Sequence, residues 1–92
     1  MKEKFEAACP LCDKPASYIL TDSANYKLYE CSKCGVFEIS NRADELVRDM
    51  TSERRAFYAS LAVSAPEKKI LELSFEVLPN ANSVNHRYIS VR

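Results

Sequence analysis

The stretch CPLCDKPASYILTDSANYKLYECSKCGVFEIS, residues 9–40, carries the organising signal of this chain. Cys9-Pro10-Leu11-Cys12 and Cys31-Ser32-Lys33-Cys34 are two Cys-x2-Cys pairs separated by eighteen residues. Two residues between cysteines let one tight turn aim both sulfurs at a single ion, and two such knuckles complete a tetrahedron. Four thiolates leave no position for water or substrate, so the spacing predicts one structural Zn²⁺ on Cys9, Cys12, Cys31 and Cys34. Gly35 follows the second knuckle and Asp13 the first, both suited to a positive φ. Pro10 lacks an N–H and has a fixed φ, which fits a tight turn. Lys14 and Lys33 stand where they can offset thiolate charge.

Between the knuckles, Ala16-Ser17-Tyr18-Ile19-Leu20 and Tyr26-Lys27-Leu28-Tyr29-Glu30 read as strands around the turn residues Thr21-Asp22-Ser23-Ala24-Asn25. Val36-Phe37-Glu38-Ile39-Ser40 reads as a third strand. With Cys9, Pro10, Cys12, Cys31, Cys34 and Gly35, this pattern resembles the zinc ribbon family over about residues 7–40. The resemblance implies a three-stranded antiparallel zinc ribbon, or zinc finger in the broad sense, but no single role. Zinc ribbons serve in transcription factors, ribosomal proteins, polymerase subunits and protein-docking modules. Asp13 stands where that family often has glycine. The ribbon followed by Ala43, Leu46, Arg55 and Ser60-Leu61 also resembles small bacterial proteins of no assigned activity, which implies a prokaryotic setting.

Beyond the ribbon the period changes. Ala43, Leu46, Val47 and Met50 fall at helical spacing after Ser40-Asn41, and Thr51-Ser52-Glu53 offers a second N-cap before Arg54 to Val63. One bent helix or two short ones fit, and the second cap favours two. Phe57 and Leu61 read as the inward face, with Tyr58 and Val63 nearer its edges. Ala65-Pro66 ends or restarts the helical run. From Ile70 to Leu78, Leu71, Leu73, Phe75 and Val77 alternate with Glu72, Ser74 and Glu76, as in a half-buried strand. Pro79 to Ser83 reads as a loop and His86 to Val91 as a returning strand. That tail forms a hairpin or an edge that pairs with another chain. The expected fold is α+β, with a ribbon over residues 1–40, a helical segment over 41–66 and a terminal hairpin over 67–92.

Composition narrows the function. The 92 residues carry 13 basic and 13 acidic side chains, and 47% are hydrophobic, which is globular rather than disordered. The balance holds regionally: five basic and six acidic residues in 1–40, six and five in 41–69, two and two in 70–92. A strong nucleic-acid footprint is therefore missing at the level of net charge. One glycine excludes every glycine-rich phosphate loop. The start, Met1 to Glu6, shows no secretory h-region, and no apolar run would span a membrane, so the expected compartment is the cytoplasm. There, paired cysteines read as metal ligands before disulfides.

Catalysis finds little support. His86, the only histidine, reads as an exposed strand residue. Asp44 and Glu45 read as first-turn charges facing the helix dipole rather than an acid–base pair. A chain this small has little room for a pocket of about 300–1,000 Å³. The expectation is no enzymatic activity and no small-molecule substrate. Tyr18, Tyr26 and Tyr29 with Arg48, Arg54 and Arg55 form the candidate surface for a partner or nucleic acid. The tyrosines read more readily as cover for the metal and the small core, and the arginines as a salt-bridged face. The favoured reading is a zinc-binding interaction module for a protein partner. The alternative is a nucleic-acid-binding ribbon in transcription or defence, and a third reading is a dithiol redox carrier.

Overall fold

The computed structural model describes residues 3–21, 23–79 and 81–90, the side chains of Leu78, Ala81 and Asn82 excepted. Met1, Lys2, Asp22, Asn80 and Val91, which the sequence places in the start, the turns and the returning strand, lie outside them. The chain is α+β: strands β1 (Lys4–Ala8), β2 (Pro15–Thr21), β3 (Tyr26–Cys31) and β4 (Gly35–Ser40), helices α1 (Asn41–Arg48) and α2 (Ser52–Val63), then β5 (Lys69–Leu78) and β6 (Ala81–Ser90). All six strands form one sheet in sequence order. Every pairing is antiparallel except β4 with β5, which is parallel. Parallel neighbours need a crossover, and the two helices supply it.

The cysteine-rich part has four strands rather than the expected three. The sequence gives no sign of β1 because Lys, Glu and Ala are poor strand formers. It forms through pairing with β2, in register from Lys4↔Ile19 to Ala8↔Pro15, with Phe5 stacked on Tyr18 at 5.3 Å. Each knuckle is thereby the turn of its own hairpin, β1–β2 or β3–β4. The β2–β3 pairing, Ala16↔Cys31 to Thr21↔Tyr26, brings both knuckles to the same end of the sheet.

Two helices form, each with the cap the sequence offered. Ser40 accepts from the Ala43 amide and Thr51 from the Arg54 amide. Met50 falls beyond α1, in the turn between the helices. The helices cover the sheet face that presents Phe37, Ile39, Leu71 and Leu73, all 0% exposed. On α2 the inward residues are Tyr58 and Ala62, whereas Phe57 is 54% exposed, the reverse of the expected facing. The tail is a hairpin, yet much of the expected loop is strand. β5 and β6 stay in register to Leu78↔Ala81, leaving only two residues between them. Val77, expected inward, is 71% exposed because the hairpin tip runs past the helices.

Glu72 corrects the alternation reading further. It is buried, as is Glu38, its in-register neighbour on the parallel strand, on the face away from the helices. Charges of this kind need partners. Thr21 Oγ1 donates to Glu38 Oε2 at 3.1 Å, and Arg87 Nε to Glu72 Oε1 at 2.6 Å.

Candidate metal centre

The four cysteine sulfurs lie within 4.8 Å of one another. Cys9 and Cys34 are 4.0 Å apart and Cys12 and Cys31 are 3.5 Å apart. Four thiolates about 2.3 Å from one ion in a tetrahedron stand about 3.8 Å from each other, so these separations fit a single M²⁺. All four are unbridged thiols. The cluster can hold one metal ion.

Local backbone explains why. Gly35 has φ +84° and Asp13 has φ 64°, so both knuckles leave through the left-handed region the sequence required. A Cβ on Gly35 would meet nothing within 4 Å, which makes backbone conformation, not space, the reason for glycine there. The first knuckle is closed by the Asp13 amide on Cys9 O and the Cys9 amide on Lys14 O, both 2.9 Å.

The thiols are electrostatically unequal. Burial pushes Cys9 up to about 12, although the amides of Leu11 and Cys12 favour its thiolate. Burial also raises Cys34, with the neighbouring thiols adding to the rise. Cys31 is pulled down to about 7: burial opposes this, but the Cys34 and Lys33 amides and the other thiols donate to its sulfur. Burial that disfavours the bare thiolates of Cys9 and Cys34 is burial in which a cation would be strongly held.

Two salt-bridged arms fasten the helices to this end of the sheet. Arg55 of α2 donates to Pro10 O at 2.7 Å and to Asp13 Oδ2 at 3.0 Å, and this holds the exposed Asp13 carboxyl below its usual range. Arg48 of α1 donates to Asp44 at 2.6 Å and to Ala8 O, the residue before Cys9, at 2.7 Å. Asp44 is 2% exposed and also accepts from Tyr29 Oη at 2.8 Å and Lys27 Nζ at 3.1 Å. Its pKa is lowered: burial opposes this, but the bonds from Tyr29, Arg48 and Lys27 outweigh it. Asp44 stands in the first turn of α1, as expected, but it is not solvated. It is the buried hub between α1 and β3.

The candidate surface residues do not converge. Tyr29 is 0% exposed, stacked on Phe37 at 5.3 Å and tilted against Tyr18 at 5.1 Å. Tyr26 is half-buried on the opposite sheet face. Arg48 and Arg55 are engaged as described, while Arg54 is exposed on α2. His86 is exposed on β6, edge-on to Phe57 at 5.9 Å and Tyr58 at 6.2 Å.

Sequence reasoning missed Asp44, Glu38 and Glu72 as buried charges, because a carboxylate at a polar-patterned position reads as solvated. It also missed a groove of about 460 Å³ between the first knuckle and α2. Leu11, Cys12 and Cys34 line one side, and Ala56, Ala59 and Val63 the other. Small side chains on α2 leave that space open, so even this short chain has room for a pocket, contrary to the expectation from its length. Cys12, the half-buried thiol, borders the groove. Among the described residues, no helix is long and apolar enough to cross a membrane. No family model, no curated protein and no solved structure matches the chain.

Proposed function

We propose that the chain is a non-enzymatic zinc-binding module of the cytoplasm that docks on another protein. The observation that carries this reading is the set of four convergent thiols on two knuckles. Four sulfurs at this spacing suit Zn²⁺, and they fill its tetrahedron, which favours a structural over a catalytic ion. The groove beside the first knuckle offers apolar walls for a partner's side chain. Nucleic acid is the weaker reading. Tyr29 is buried and two of the three candidate arginines are committed to Asp44 and Asp13, which removes tools for stacking bases and holding phosphates. A dithiol redox carrier needs one pair free of metal, and the second pair beside it argues against that.

Elemental analysis of protein purified without added metal should give one zinc per chain. Anisotropy titrations with short duplex DNA and RNA should show no saturable binding that weakens with salt. Four freely titrating thiols with no metal would sink the zinc reading. Tight, salt-dependent binding to either nucleic acid would replace the protein partner.

A further inference from the structure

The sheet has two free edges among the described residues, and they are guarded differently. β1 is five residues long and carries Lys4 and Glu6, a short charged edge of the kind that discourages strand addition. β6 runs ten residues in unbroken register with β5, so no bulge turns it away. It contains no Pro, Lys, Asp or Glu, and the charge of Arg87, its one arginine, is held by Glu72. Its outer residues Asn85, His86, Arg87 and Tyr88 are exposed, and Phe57 stands 54% exposed against His86 on the helix side. A row of unspent amides and carbonyls beside exposed aromatic rings is a template for another strand.

We infer that β6 pairs antiparallel with β6 of a second copy of this chain, about a two-fold axis at His86. This rests on the edge and not on the zinc reading. A second copy fits because the chain is neutral, 13 charges against 13, and β6 carries a single charged residue among those described, Arg87, whose exposed guanidinium a suitable register keeps apart from its own copy. A two-fold axis normal to the sheet keeps each face on its own side, so paired residue numbers must sum to an even value. A sum of 174 sets Arg87 against its own copy and is repulsive. A sum of 170 sets Asn85 against its own copy. A sum of 172 overlaps residues 82–90, places Val84 beside the partner's Tyr88, an aromatic–β-branched pair, and sets Asn85 beside the partner's Arg87. That register uses the edge best, with Phe57 of each copy beside the seam.

Sedimentation equilibrium and light scattering of the chain as purified, from low micromolar to near-millimolar concentration, should show mass rising from 10.4 kDa toward twice that value. Asn85→Glu places a carboxylate opposite the partner's Arg87 and should tighten the dimer about fivefold, the pair being formed twice. Asn85→Lys should loosen it by a similar factor. Zinc content and circular dichroism, unchanged in both variants, verify the fold. Monomer mass at every concentration overturns the pairing. A dimer indifferent to both charges uses another surface, and one weakened by Asn85→Glu is not centred on His86; either result overturns the inference.

Discussion

The sheet joins two regions stabilised by different physics. At the knuckle end, β1 to β4 converge on four cysteines, and the apolar support is a line of rings, Phe5, Tyr18, Tyr29 and Phe37, with successive centroids 5.1–5.3 Å apart. Around β5 the support is aliphatic: Leu71 and Leu73 meet Ile39, Ala43 and Val47 beneath the helices. The first region closes around sulfur and charge, the second around ordinary hydrophobic burial. They meet at the parallel β4–β5 pairing, Phe37↔Leu71 to Ile39↔Leu73. Metal dependence should therefore be graded along the sheet, steepest at the knuckles.

The largest break in that comparison is removal of the zinc we propose for the four cysteines. Structural zinc supplies apparent free energies of about 10–16 kcal/mol, as much as the whole stability of a small domain. Chelation, or Cys34→Ser, should therefore collapse amide dispersion over residues 9–40 while the helices and β5–β6 retain more of theirs. Equal collapse of every amide signal would show that the two regions are one cooperative unit. Because the ligands bind as thiolates, metal affinity should also fall as pH falls.

A smaller break is at the seam. Phe37 is 0% exposed, touches the tyrosine stack and lies in register with Leu71. Phe37→Ala should cost about 4 kcal/mol in urea unfolding of the zinc-loaded protein. Both regions should lose stability together, whereas a loss confined to the knuckle end would place the boundary on its far side.

The smallest of the three concerns Asp44, which ties α1 to β3 through Tyr29 and Lys27. Asp44→Ala leaves Tyr29 Oη and Lys27 without that acceptor and should cost about 3 kcal/mol at neutral pH. The folded-state pKa of Asp44 is lowered from 3.8, so the folded state favours the carboxylate. Its contribution is therefore complete above the ordinary carboxylate range and is lost as pH falls through the lower folded value. The stability gap between wild type and variant should stay constant from pH 7 to about 5 and narrow below about 3.8. A gap independent of pH would mean that packing, not charge, is what Asp44 provides.

Much of the cysteine cluster is legible in the order of residues alone. Cysteine spacing, Gly35 and Asp13 are local constraints: a knuckle is a few residues of backbone, and its φ values follow from the residue types. Capping is equally readable, since Ser40 and Thr51 act within three residues of themselves. The expected three-stranded ribbon is one strand short, and the facings of Phe57 and Tyr58 are reversed. β1 exists only by pairing with β2, and α2 turns as it does because Tyr58 must cover a core built from other elements.

By itself the sequence determined which four cysteines converge, the turns that aim them, and the two capped helices, since each depends on neighbours a few residues away. Tertiary structure decided which charges are buried. Asp44, Glu38 and Glu72 sit at positions a pattern assigns to water, and only strands and helices distant in sequence remove that water. It also decided that β5 lies parallel to β4, and that β6, rather than β1, is the long unguarded edge. Burial and edge status belong to the assembled sheet, where long-range pairing outweighs local preference.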